Sequence, residues 1–347
     1  MREKEIQETL QAAETAKNQK QDSRLPSNSN PESNNIFNLR TLTECLANPA
    51  PEQSWLIDEL LPLGGLSLDV AKPKVGKTTK NRTLARAVAL GGEFLDREVM
   101  KTGKVIYYAL EEKESHFIEK MANAAVVTDE ILFHFGSAPK DPLKALQQNI
   151  EEHNPVLVII DPLQRFLRVN DLNDYSQASN ALEPVMELAR KNNCHIMLTH
   201  HQSKSDRSGG DEVLGSTALY GAVDTLITTS KDAGGIRYIQ TIQRYGIDLE
   251  KSVLNLDENN DTVTVNGTYA EFKRKNLDNN ILQALGIGEM TTSDIRKIVG
   301  GNQTRTAERL PKMAEDGLLT RTGSGKKGDP HVYKVASDPA SSMPDAR

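Results

Sequence analysis

The chain has 347 residues, 37% of them hydrophobic and 26% charged, with a formal net charge of −6. This is the balance of a soluble globular protein with enough material for a large core domain and a smaller second one. No apolar run approaches the ~20 residues of a membrane helix, the mixed-charge start MREKEIQETLQAAETAKNQKQ has neither signal- nor transit-peptide character, and Cys45 and Cys194 lack metal-ligand spacing, so a cytosolic protein without disulfides or structural zinc is expected.

Residues 1–36 are rich in Gln, Asn, Ser and Glu and have almost nothing to bury, which predicts a disordered tail. Trp55 and the apolar stretch 56–63 lead into the first of five short apolar runs, 66–70, 105–110, 131–135, 156–160 and 195–199, with helical stretches near 78–90, 112–126, 141–152 and 176–191 between them. Strands apolar on both faces that alternate with helices predict an α/β fold with a largely parallel central sheet. The runs 225–229, 238–243 and 262–265 lack intervening helices and predict an antiparallel extension. From about residue 276, NNILQALG, TTSDIRKIVG and TRTAERLPKMAEDG read as three short amphipathic helices, followed by LLTRTGSGKKGDPHVYKV as a β-hairpin with a basic, Gly-rich tip. Residues 296–335 hold nine Lys/Arg against four Asp/Glu, a local +5 that leaves −11 for the rest. That asymmetry fits either a polyanion partner or an ordinary solvated surface. Residues 337–347 are expected to be a second disordered tail.

The segment AKPKVGKTT, residues 71–79, lies between the first strand and the first helix and has the phosphate-loop spacing except that Ala71 stands where a Gly is usual. Its backbone from Ala71 through Lys72, Pro73, Lys74, Val75 and Gly76 to Thr79 would curl around phosphates, with Lys77 reaching their oxygens and Thr78 placing a hydroxyl on Mg²⁺. A positive φ at Ala71 would cost roughly 1 kcal/mol. In PVLVIIDPLQRF an apolar strand ends in Asp161, a second Mg²⁺ ligand at the same sheet edge. Glu111 and Glu112 follow VIYYAL; either Glu111 activates water or both acids merely favour a helix start. MLTHHQSK brings His200 and His201 to this edge, where neighbours on a strand face opposite ways and cannot easily share one metal ion, so a γ-phosphate sensor is the preferred reading of this edge. ATP and Mg²⁺ are the expected cofactors.

With these motifs in this order, residues 41 to about 266 resemble the RepA-like branch of the RecA-type P-loop ATPases, which includes plasmid hexameric helicases and ATPases of phages and mobile elements. WLIDELLPLGGLSLDV, GGEFLDREVMKTGKVIYYALEE and GSTALYGAVDTLI carry the same resemblance. It implies a RecA-like core over 37–270, a homo-oligomer, expected to be a hexameric ring, roles for Lys77, Thr78, Glu111 and Asp161 as above, and His201 at the γ-phosphate sensor position. In RYGIDLE, Ile247 stands where the family often has an arginine that acts on a neighbour's γ-phosphate, and Arg244 is the substitute. Residues 276–336 resemble a winged helix-turn-helix, which would set Arg305, Arg309 and Lys312 of its third helix and Lys326 and Lys327 of its wing on DNA; Pro311 is expected to kink that helix, and such modules also dock proteins. The implied function is a DNA helicase or a DNA-translocating or loading ATPase in replication. The alternatives are an ATP-binding DNA-binding regulator with little hydrolysis and a recombination-type filament-forming ATPase.

Overall fold

The structure, a computed structural model, describes residues 37, 39–124, 128–167, 175–201, 221–257 and 259–336; the tails expected over 1–36 and 337–347 lie outside the described residues. Residues 1–54 and 55–347 form two units. In the first, α1 (Leu42–Ala47) begins on a capping box: the Thr41 hydroxyl accepts from the Glu44 N–H and the Glu44 carboxylate accepts from the Thr41 N–H.

The second unit opens with a hairpin of β1 (Trp55–Ile57) and β2 (Leu61–Pro62), the lead-in that the apolar stretch predicts. Then come β3 (Leu66–Ala71), α2 (Lys77–Leu90), the short pair β4 (Glu93–Phe94) and β5 (Arg97–Glu98), β6 (Val105–Ala109), α3 (Glu114–Asn123) and β7 (Ile131–Phe135). They are followed by α4 (Pro142–His153), β8 (Leu157–Asp161), α5 (Leu163–Phe166), α6 (Tyr175–Asn192) and β9 (His195–His201), and by β10 (Thr225–Lys231), β11 (Arg237–Gln243), β12 (Ser252–Asp257) and β13 (Thr262–Thr268). The large sheet has the order β13-β12-β11-β10-β3-β9-β8-β6-β7. β10, β3, β9, β8, β6 and β7 run parallel, and β11 to β13 extend the sheet antiparallel. The sequence reading found neither β12, whose apolar signal is only Val253 and Leu254 before the exposed Asn255, nor the extra residues at the ends of β3 and β9.

Strand periodicity explains why the parallel strands are apolar throughout. Val158 and Ile160 face one layer, with Leu146 and Ile150 of α4 and Leu182 and Val185 of α6. Leu157 and Ile159 face the other, with Leu84 and Val88 of α2, Phe117 of α3 and Leu56 of the hairpin. Each such side chain contributes about 1.5–3 kcal/mol when fully buried, which holds the strand ends in register. Because the strands are parallel, the loops after β3, β6, β8 and β9 emerge together along one edge. No helix among the described residues is long and apolar enough to cross a membrane.

α7 (Tyr269–Leu285) grows directly from β13 on a second capping box, Thr268 with Glu271. It runs unbroken across 270–276, where the sequence reading set a boundary. Its first turns are fastened to the sheet. The Lys251 ammonium lies 3.7 Å from the Tyr238 ring centroid and 4.4 Å from that of Tyr269, while the Tyr269 hydroxyl and the Lys273 ammonium both reach Asp232 Oδ2 at 2.8 Å. Beyond it lie β14 (Met290–Thr291), α8 (Thr292–Val299), α9 (Gln303–Glu315), β15 (Leu319–Thr322) and β16 (Val332–Val335), with strand order β14-β16-β15. These elements enclose a core of their own, formed by Ile281, Leu285, Ile295, Leu310, Met313, Leu319 and Tyr333. α9 passes through Pro311 without ending, since Leu310 and Met313 on either side are buried in that core.

Candidate active site

β3 is buried along its whole length and stops at Ala71, which pairs with Thr229 and His201. Ala71 is therefore a strand residue, and the strain expected of it falls elsewhere: the left-handed residues of the loop are Lys74 (φ +64°) and Gly76 (φ +101°). A Cβ at Gly76 would lie 2.6 Å from Leu256 Cδ2, the movable end of a side chain, so it is the backbone angle that calls for glycine there. Val75 is buried rather than facing the loop's concavity. Gly76 caps α2 without a side-chain hydrogen bond, which leaves the first-turn N–H groups to an anion. A cleft of about 470 Å³ opens at this point, lined by Lys72, Pro73, Lys74, Gly76, Lys77, Thr78 and Thr79 on one side and by Glu112, His116, His201 and Asp261 among others.

Lys77 Nζ donates to Thr199 Oγ1 (3.1 Å), which donates to Asp161 Oδ1 (2.6 Å), and Nζ itself lies 3.4 Å from that oxygen. The Tyr107 hydroxyl donates to Asp161 Oδ2 (3.2 Å). Burial and the neighbouring Asp161 carboxylate push the Tyr107 phenol well above its ordinary range, so it stays a donor. Four adjacent strands thus deliver one connected group: Lys77 follows β3, while Tyr107, Asp161 and Thr199 lie on β6, β8 and β9. Asp161 falls beside Thr199 because Ile160 pairs with Leu198 one step earlier.

The two glutamates after β6 part company. Glu111 turns toward β9 and α5, with Oε2 3.3 Å from His201 Nε2 and Oε1 3.2 Å from Arg165 Nε. Glu112 turns toward α2 and lies 3.4 Å from Arg82 NH1 and 2.8 Å from His116 Nδ1. The histidines also separate, as adjacent strand residues must. His201 lines the cleft, whereas burial, with Lys77 and His201 adding to it, lowers His200 to about 4 and keeps it neutral.

Behind the loop, α2 is anchored by charges absent from the sequence reading. The fully buried Lys80 donates to Asp69 Oδ1 (2.5 Å) and Thr229 Oγ1 (3.0 Å), and burial pulls its ammonium below the usual lysine value against the opposing effect of Asp69. Arg82 grips both carboxylate oxygens of Asp261 (2.6 and 2.7 Å) in the β12–β13 turn, joined by Arg86. The spacing of Arg82 and Arg86 on one helix face was the available signal. Thr199, Tyr107 and Arg165 were also missed, the first two because a hydroxyl inside an apolar strand has no motif.

Arg244 lies at the opposite edge of the sheet, bound to Asp224 Oδ1 (3.5 Å) and the Gly221 carbonyl (2.8 Å), while Asp224 accepts from the N–H of Leu66 at the start of β3. The length of β3 separates it from its own phosphate loop by roughly 16 Å at 3.3 Å per residue, so it does not act there. In the C-terminal module Arg305, Lys312, Lys326 and Lys327 are exposed. Arg309 is not available for DNA, because Asp278 takes its guanidinium at 2.7 and 2.9 Å and Asp316 at 3.1 Å.

Thr78 and Asp161 fit Mg²⁺, which takes one or two protein oxygens and completes its shell with phosphates and water. Both stand beside Lys77, at the start of α2 and the end of β8.

A family model described as AAA domain matches residues 32–207, just over half of the chain. A search of curated proteins found no match. The chain belongs to this AAA-domain family of P-loop ATPases.

Proposed function

We propose that this AAA-domain ATPase hydrolyses ATP with Mg²⁺ as a RepA-like DNA helicase, or as a DNA-translocating or loading ring, in the replication of a plasmid, phage or mobile element. The observation that carries the reading is the Lys77–Thr199–Asp161 contact, in which Lys77 lines a basic cleft, with Glu111 one strand from Asp161. Lys77 would leave Asp161 for the β and γ oxygens when nucleotide binds, because the phosphates carry more charge than a single carboxylate. Mg²⁺, held by Thr78 and Asp161, would neutralise charge on those oxygens. Glu111 would orient a water at the γ-phosphorus and take its proton as the bond to ADP breaks. His201, 3.3 Å from Glu111, would couple γ-phosphate occupancy to that carboxylate.

Arg244 would serve a neighbouring subunit's site, since it stands far from its own. The exposed Ile242, Tyr245 and Ile247 beside it supply apolar area for such a contact. We assign 37–270 to a RecA-like core and 276–336 to a winged helix-turn-helix, supported by the helix and strand order around its separate core. One observation favours the alternative of an ATP-binding regulator with little hydrolysis: both oxygens of Glu111 are already engaged. Steady-state ATP hydrolysis, with and without single-stranded DNA, separates the two. DNA-stimulated turnover abolished by Lys77→Ala and by Glu111→Gln is the expected result, and nucleotide binding without turnover in the parent protein overturns it in favour of the regulator.

A further inference from the structure

A cleft of about 410 Å³ runs between α7 and α9. Ala270, Lys273, Arg274 and Leu277 on α7, and Arg305, Glu308, Arg309 and Lys312 on α9, follow the spacing that puts side chains on one helix face, so two helical faces confront each other across an apolar floor of Tyr269 and Leu277. The basic face of α9 is therefore one wall of a cleft, and a recognition helix lying alone in a groove does not describe it.

The cations in this cleft differ in what they are free to do. Arg309 crosses to Asp278 of α7 and ties the walls together, and Lys273 is committed to Asp232. Arg274, Arg305 and Lys312 are exposed and have no ion pair among the described residues. They outnumber the one cleft acid, Glu308. Arg305 and Lys312 are seven residues apart, about 10 Å along the helix axis, with Arg274 facing them from α7. Separated cations on two walls fit a ligand with repeated negative charges, where a single small anion would satisfy only one of them.

We infer that the α7–α9 cleft binds the phosphate backbone of DNA through Arg274, Arg305 and Lys312, without reading bases. This rests on the reading that the protein acts on DNA. Because α7 is fastened to the sheet through Tyr269, Lys273 and Lys251, the bound strand would be held on an element rigidly continuous with the ATPase sheet.

The test is fluorescence anisotropy of a labelled duplex of mixed sequence with the full-length chain, titrated at several salt concentrations. It compares the parent with Arg274→Ala/Lys312→Ala, with the charge-retaining Arg274→Lys/Lys312→Arg, and with Lys326→Ala/Lys327→Ala at the hairpin tip. Two lost phosphate contacts make the log–log salt slope shallower by about 1.8, so the parent's advantage narrows about twelvefold between roughly 50 and 200 mM salt. The charge-retaining variant should bind like the parent, and a thermal melt of the alanine variant that matches the parent's excludes misfolding as the cause. A parent that binds DNA with a slope unchanged in the alanine variant overturns the cleft assignment alone. A parent that binds neither this duplex nor a labelled single strand overturns the DNA reading as well, whereas one that binds only the single strand overturns the cleft assignment alone. If polyglutamate displaces the duplex as well as unlabelled DNA of equal charge does, an acidic protein surface is the occupant and the inference falls.

Discussion

Replacing Thr199 by valine keeps the shape of the side chain and removes the hydroxyl that stands between Lys77 and Asp161. That hydroxyl accepts from Lys77 Nζ at 3.1 Å and donates to Asp161 Oδ1 at 2.6 Å, and Lys77 and Asp161 are only 7% and 12% exposed. A hydrogen bond to a charged group contributes about 1.5–3 kcal/mol. The direct Lys77–Asp161 approach at 3.4 Å survives and offsets part of the loss, so a net cost of about 2 kcal/mol follows, less than the roughly 3–6 kcal/mol of two uncompensated bonds. If Asp161 must hold its orientation through the reaction, the same 2 kcal/mol lowers kcat/KM for ATP about 30-fold, at 1.36 kcal/mol per factor of ten. The nucleotide-free protein should melt roughly 4–8 °C lower. Thr199→Ser keeps the hydroxyl and should restore most of both. Steady-state ATPase and thermal melting of the two variants are the assays, and a Thr199→Val protein with turnover within about threefold of the parent refutes the argument.

Arg165→Ala should raise DNA-free ATP turnover by releasing Glu111. With the partners 62% and 42% exposed, an ion pair of this kind contributes only about 0.2–1 kcal/mol, equivalent to about a 1.4- to 5-fold rise; a fall in turnover would show instead that Arg165 assists the reaction. His195 is fully buried between the Pro62 carbonyl (2.7 Å) and Ser67 Oγ (2.8 Å), and burial lowers it to about 4 from 6.5. Its stabilising contribution is fully present above pH 6.5 and is lost as pH falls toward 4, because the unfolded chain takes up a proton that the folded chain refuses. The loss from this group is about 2 kcal/mol between pH 7 and pH 5; urea unfolding at the two pH values measures it, and an unchanged midpoint contradicts a neutral core histidine.

The alternation of apolar runs and helices, the loop around Gly76 and Lys77, and the carboxylates at Asp161 and Glu111 were all legible in the sequence. Each is a local signal, a periodicity or a residue type set where a strand ends, and parallel strands carry such ends to one edge. What lies between strands had no local signal. Thr199 and Tyr107 look like ordinary strand residues until the register of β6, β8 and β9 brings them to Asp161. The partners of Lys80, Arg82 and Arg309 are 11, 179 and 31 residues away. A basic residue read alone is a candidate ligand for phosphate. Only the folded chain shows that Arg309 already has two carboxylates, that Arg244 stands at the far edge of the sheet, and that Arg274, Arg305 and Lys312 share one cleft. The sequence by itself determined which elements form and which chemical groups they carry. Tertiary structure decided which charges meet, because hydrogen bonds and ion pairs act over a few ångströms in space and are indifferent to separation along the chain.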